Sequence, residues 1–140
     1  MDVENARVAQ TLNELADLME LANESAFRVR AIRGGARAVE GLGERVDDLV
    51  LRGALEKTRG IGEGVARRIK ELLETGQLAE AEALKAKLPP GVFELMNLPG
   101  IGLKTAQQVW QEQGITTIDQ LEAAARAARA NRMQTSLNLA

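Results

Sequence analysis

The sequence predicts an all-α protein built as two small helical subdomains, and three observations predict it. Helix formers dominate an apolar content of Leu, Ala, Val and Ile, while Phe27, Phe93 and Trp110 are the whole aromatic complement. Apolar residues recur at three- and four-residue intervals instead of alternating. Glycine and proline fall between these periodic runs, most densely at Pro89-Pro90-Gly91.

Taken in order, residues 3–22 form an amphipathic helix with Val8, Leu12, Leu15, Met19 and Ala22 on one stripe and Leu18 beside it. Its other face is acidic. Asn23-Glu24-Ser25 breaks it, and Ser25 is placed to cap a second helix over 26–40. There Val29, Ile32, Ala36 and Val39 share a face, and Arg30, Arg33 and Arg37 form a ridge beside it. Gly34-Gly35 costs that helix on the order of 1 kcal/mol per glycine, so either another helix approaches closely or the helix is broken there. Gly41 and Gly43 end it. A short helix over 45–52 precedes Gly53, and residues 54–57 lead into a glycine-rich turn.

A helix over 63–75 stops at Gly76. The next, over 78–88, has Ala79, Ala83 and Leu84 as its apolar positions. Pro90 suits the first turn of a short helix over 91–97. A helix from Gly102 to about Gln113 stops at Gly114, and Thr116-Thr117 caps a last one over 118–131 anchored by Leu121. Residues 132–140 lack periodicity and are expected to be a flexible tail. The proline pair divides the chain into subdomains 1–88 and 89–131.

Composition excludes several activities. With no Cys and no His, disulfides, Cys nucleophiles, imidazole catalysis and the commonest zinc ligands are all missing. The aromatic shortage argues against stacking platforms for single-stranded bases. No apolar run approaches a membrane span and no signal peptide is visible, so no membrane partner and a cytoplasmic setting are expected. Net charge is -2, unevenly spread. Residues 1–25 carry one Arg against six acids, residues 26–70 eleven Lys/Arg against six, and residues 71–140 six against eight. The middle of the chain is the electropositive part.

One local pattern occurs twice. Thr58-Arg59-Gly60-Ile61-Gly62-Glu63-Gly64-Val65-Ala66 is echoed forty residues on by Leu98-Pro99-Gly100-Ile101-Gly102-Leu103-Lys104-Thr105-Ala106. Each Gly-Ile-Gly opens a helix and is followed by Ala four residues after its second glycine. Glycine supplies the turn and lets another backbone approach, while the Ile turns inward as an anchor. The amides opening the following helix carry the positive end of its dipole and form an anion site. A nucleic acid phosphate is the natural ligand, and such a contact positions without reading sequence. A lone Gly-x-Gly is more often only a turn; the repeat makes the phosphate reading the stronger one.

The order of motifs, Phe27-Arg28-Val29-Arg30-Ala31-Ile32-Arg33, the first hairpin, Glu-Leu-Leu-Glu-Thr-Gly (71–76), Leu-Pro-Pro-Gly (88–91), the second hairpin and Gly-Ile-Thr-Thr-Ile-Asp-Gln-Leu (114–121), resembles the N-terminal region of bacterial family X DNA polymerases, the polymerase beta type. The resemblance spans roughly residues 5–122. It implies an eight-kilodalton-like domain and a fingers-like subdomain, each with one helix-hairpin-helix, in a polymerase beta N-terminal-like or SAM-like bundle. It implies phosphate-facing amides at Gly60, Gly62 and Gly64 and at Gly100, Gly102, Lys104 and Thr105; beside these, the residues themselves offer the ridge of Arg30, Arg33 and Arg37, with Arg59, Arg67 and Arg68, as side-chain phosphate contacts. It also implies a K+ or Na+ ion on the backbone carbonyls of Thr58 and Ile61 and of Leu98 and Ile101, with no other cofactor.

Departures from the family pattern set the expected activity. The Schiff-base lysine of family lyases corresponds to Arg68, which cannot lose its proton. Lys70 sits roughly 200° further round the helix. Ile32 stands where the family often has Tyr, Arg59 replaces a Pro, and Gly64 replaces a basic residue. No Asp-x-Asp pair is available to hold Mg2+, and the adjacent Asp47-Asp48 reads as solvated. The expectation is a non-catalytic module binding gapped or nicked duplex DNA in repair or processing, with a polymerase or other repair protein as possible company. The alternatives are an abasic-site lyase using Lys57 or Lys70, and a helical protein-interaction module.

Overall fold

The structure is a computed structural model that describes residues 2–89, 91–96, 98–99 and 101–139, with side chains described as far as Asn131 apart from Phe93. The expectations for Pro90 and Gly100 therefore lie outside the described residues. Among those described, all regular structure is helical: α1 Val3–Leu21, α2 Ala26–Glu40, α3 Val46–Leu51, a 3-10 turn Leu55–Lys57, α4 Glu63–Thr75, α5 Ala79–Lys87, α6 Val92–Met96, α7 Leu103–Gln113 and α8 Ile118–Leu139. The chain divides into two units between Lys87 and Leu88, one residue before the expected division.

In the first unit, α1 is the central beam. Asp2 opens it by accepting from the backbone N–H of Glu4 (2.8 Å) and Asn5 (3.3 Å). Val8, Leu12, Leu15, Leu18, Met19 and Leu21 are fully buried, and each contributes on the order of 1.5–3 kcal/mol as an upper estimate. Ala22 does not close the stripe: α1 ends at Leu21, and Ala22 is the exposed cap.

The expected face of α2 is the buried one: Val29, Ile32, Ala36 and Val39, joined by Gly35. Ser25 occupies the N-cap but its hydroxyl makes no capping bond. Of the two options for Gly34-Gly35, the helix is unbroken and a neighbour approaches. A Cβ on Gly35 would sit 2.5 Å from Val65 Cγ1 of α4, whereas one on Gly34 would meet nothing within 4 Å.

Asn5 fastens the segment after α2. Wholly buried, it donates from Nδ2 to Glu44 O and accepts at Oδ1 from Val46 N–H, both at 2.8 Å. One amide thus satisfies two backbone groups on either side of the entry to α3.

Helix α4 buries Val65, Ala66, Ile69 and Leu72 and stops at left-handed Gly76. The Glu71 carboxylate accepts from Ala79 N–H (2.7 Å), capping the start of α5 across the turn. Helix α5 packs through Ala81 and Leu84, with Leu78 buried just before it; Ala79 and Ala83, expected to be apolar contacts, are exposed. An alanine-rich helix carries too little contrast for its face to be read without its neighbours.

The second unit buries Val92, Leu95, Met96, Ala106 and Ile115. Thr117 Oγ1 accepts from Gln120 N–H (3.1 Å), and Gln120 Oε1 returns to accept from Thr116 N–H (2.8 Å). The last helix does not stop near 131: α8 continues to Leu139, because no Gly or Pro interrupts a run of helix formers.

Replacing Gly35 with Ala is expected to destabilise the protein by about 1–3 kcal/mol through overpacking against Val65, while Gly34→Ala stabilises it by roughly 0.5–1 kcal/mol through helix propensity. Urea melts of the two single variants check this opposition. Asn5→Ala should cost about 1–3 kcal/mol in the same assay, since it strands two buried backbone groups.

Candidate nucleic-acid interface

The two hairpins are built alike. In the first, Ile61 N–H donates to Thr58 O at 3.1 Å; in the second, Ile101 N–H donates to Leu98 O at 3.1 Å. Each bond closes a tight turn that ends on a glycine in extended conformation, Gly62 at φ -81 and ψ -178, Gly102 at φ -86 and ψ 176. The first intrahelical bonds are Ala66 N–H to Gly62 O (2.9 Å) and Ala106 N–H to Gly102 O (3.0 Å). The amides of residues 62–65 and 102–105 precede those bonds, so they have no intrahelical acceptor and carry the positive end of each dipole.

The glycines differ in what demands them. Gly60 has φ +89, and a Cβ there would lie 3.0 Å from Ala38 Cβ on α2. Backbone and packing both require it. Gly62 and Gly102 have ordinary extended backbones, and a Cβ on either would meet nothing within 4 Å. No contact among the described residues asks for glycine there. A Cβ on Gly64 would meet Arg68 Nη1 at 3.3 Å. Ile61 is buried as the anchor; Ile101, like Thr58 and Leu98, is half-buried.

The cationic side chains fall into two groups. Arg30, Arg37, Arg59, Arg67 and Lys104 are exposed with no ion pair among the described residues, and Thr105 is exposed beside Lys104. Arg33 leaves the expected ridge. It turns toward α1, where its Nη2 donates to Asp17 Oδ1 (2.8 Å) and Glu20 Oε1 (3.0 Å). Burial opposes its charge, but the hydrogen bonds to Asp17 and Glu20 outweigh that and raise its pKa. On α2, Arg37 and Arg30 lie roughly 80–100° round from Ala38, the residue that meets Gly60. They flank the hairpin instead of facing it.

Arg68 is also engaged. Its Nε and Nη2 donate to Glu80 Oε2 and Oε1 at 2.9 and 3.3 Å, and its Nη1 donates to Gly64 O at 3.2 Å. Glu80 meets Arg28 as well, at 3.2 Å. Hydrogen bonding from Arg68 holds the Glu80 carboxyl below the usual glutamate range, against partial burial. Sequence reasoning missed this cluster, because Glu80 lies on another helix and no spacing links it to Arg28 or Arg68. The same holds for an adjoining cleft of about 320 Å3, floored by Met19, Ile32 and Val65 and edged by Phe27 and the hairpin glycines. Of the lysines considered for lyase chemistry, Lys70 is paired with Glu56 (3.0 Å) and Lys57 is exposed.

A helix-hairpin-helix domain model matches residues 3–78, and a SAM-like helix-hairpin-helix tandem model matches residues 53–112 and 92–131. The DNA polymerase/3'-5' exonuclease PolX of Bacillus subtilis is 31% identical over 121 residues, covering 84% of this chain. The chain spans about a fifth of that relative's length, 20%. No helix among the described residues is long and apolar enough to cross a membrane. The chain belongs to the helix-hairpin-helix domain family, and its resemblance to the N-terminal region of bacterial family X DNA polymerases holds.

Proposed function

We propose that this chain is a sequence-independent DNA-binding module that holds the backbone phosphates of gapped or nicked duplex DNA on its two hairpins, in repair or processing. The observation that carries the reading is the pair Gly62 and Gly102. Each ends a turn where the protein itself has no use for a missing side chain, directly before amides that lack an acceptor. A phosphate oxygen approaching those amides is what needs the space. The supporting contacts are the amides at Gly60, Gly62 and Gly64 and at Gly100, Gly102, Lys104 and Thr105. The exposed side chains of Arg59, Arg67 and Lys104 add charge, with Arg30 and Arg37 on the flank. Arg33 is left out, since Asp17 and Glu20 already hold it.

A monovalent cation belongs to the same reading. The carbonyls of Thr58 and Ile61, and of Leu98 and Ile101, offer uncharged hard oxygens suited to K+ or Na+. Among the described residues, Thr58 O and Leu98 O each accept a single N–H in the turn, which leaves a second lone pair. Such an ion would bridge the turn to a phosphate oxygen. Phosphoryl transfer is not part of the proposal, since the sequence offers no Asp-x-Asp pair. Nor is lyase chemistry: Arg68 cannot form a Schiff base, and Lys70 is engaged in an ion pair with Glu56. A polymerase or another repair protein is the partner this module would serve.

Two measurements test this. Binding to a one-nucleotide gap with a 5'-phosphate should fall roughly a hundredfold between about 50 and 200 mM salt if about four phosphates are contacted; salt-independent or absent binding refutes the reading. Gly62→Leu and Gly102→Leu should each lower affinity roughly tenfold while shifting stability by no more than about 1 kcal/mol, because only a modest N-cap preference is lost. Intact DNA binding in both variants would refute the hairpin contacts, whereas under the protein-interaction alternative both variants keep partner binding. Borohydride trapping on an abasic substrate is expected to leave no covalent adduct.

A further inference from the structure

The residue that follows the second glycine differs in kind between the two hairpins. It is Glu63 in the first and Leu103 in the second, and each is the first residue of its helix, α4 or α7. In a helix the Cα–Cβ bonds tilt toward the N-terminus, so a side chain of the first turn leans toward the opening amides. Glu63 is exposed, and among the described residues its carboxylate has no partner. Arg67 lies one turn on, at the spacing that permits an ion pair, yet none joins the two. The outer face of α4 continues this character in a cleft lined by Glu56, Glu63, Arg67, Lys70, Glu71 and Glu74. There Glu56 takes up Lys70 at 3.0 Å and Glu71 accepts from Ala79 N–H at 2.7 Å. Glu63 and Glu74 are left against Arg67 alone. The second hairpin has no acid in the first turn of its helix, where Lys104 and Thr105 follow Leu103.

A carboxylate at the start of α4 has two opposed effects. The positive end of the helix dipole favours it, so it steadies the free helix. It also puts negative charge beside the amides that a phosphate would approach, and the two anions repel. We propose that Glu63 is a negative determinant of DNA affinity at the first hairpin, offsetting the charge of Arg59 and Arg67 and loosening the hold on the strand docked there. This rests on the DNA-binding reading above and deepens it: the main-chain device is common to both hairpins, and Glu63 is a restraint that only the first carries. The chain then exchanges its DNA more readily than its amides and free arginines alone would allow.

The test measures affinity for a one-nucleotide gap with a 5'-phosphate, by fluorescence anisotropy at two salt concentrations, for the wild-type chain, Glu63→Gln, Glu63→Lys and Glu74→Gln. Glu74 is exposed in the same cleft but lies roughly 16 Å further along the helix, so it controls for net charge. Glu63→Gln should bind roughly twofold to fivefold tighter at about 50 mM salt, the size of effect that one exposed charge produces, and the gain should shrink by about 200 mM. Glu63→Lys should gain more, and Glu74→Gln less than Glu63→Gln. Combined with Gly62→Leu, which blocks the approach to the amides, Glu63→Gln should lose most of its gain. Urea melts should show Glu63→Gln no more stable than wild type, since a favourable helix-end charge is gone. A wild-type chain that binds the DNA, with an affinity unmoved by both Glu63 variants, or raised equally by Glu74→Gln, or raised in full despite Gly62→Leu, overturns this inference alone. If neither the wild-type chain nor any variant binds the DNA, the DNA-binding reading falls and this inference falls with it.

Discussion

Helix α4 can lie against α2 because two side chains are missing at their contact. Gly35 on α2 gives Val65 room, and Gly60 in the turn before α4 gives Ala38 room. The two contacts run in opposite senses, a glycine of each element receiving a side chain of the other. Together they fix both the depth and the rotation of α4. The first hairpin follows from that seating: Ile61 reaches the core and Gly62 stays exposed. The packing tolerance is narrow, since interiors of this kind have no slack for even one added methyl group.

The first unit spends its polar groups on holding this arrangement. Asn5 ties the segment after α2 to α1, Arg33 ties α2 to α1, and Glu71 ties α4 to α5. The partly exposed ion pairs of Arg33 contribute little taken singly, whereas the buried Asn5 bonds contribute more. Their shared effect is to fix the ends of short helices, which would be marginal in isolation. The charge distribution then acquires a second meaning. The acidic face of α1 offsets the basic middle of the chain, and part of it directly consumes an arginine. What remains available for an external anion is a smaller and more localised set than the sequence total implies.

The two hairpins show how one backbone device is used twice under different side-chain conditions. Their turn bonds match in length, and their helix-opening glycines match in conformation. Around the first stand Arg59 and Arg67 with a cleft alongside; around the second stands Lys104. The shared part is main chain and reads no base sequence, and the variable part sets local charge.

The sequence by itself determined the helices, both hairpins and those stops that a glycine marks. Periodic Leu, Val and Ile, together with Gly41, Gly76 and Gly114, are local signals that hold in any surroundings. It also determined the burial of Ile61 and the family resemblance, which rest on short ordered motifs. It did not determine the face of α5 or the end of α8, where alanine offers no contrast and no breaker marks a stop. Only the tertiary structure decided which arginines are spent and which are free. Arg30, Arg33 and Arg37 are equivalent by spacing, yet only Arg33 meets carboxylates of α1, and Arg68 meets one from α5. Ion pairs between helices depend on how those helices are rotated against each other, and that rotation was set by glycine contacts that no periodicity encodes.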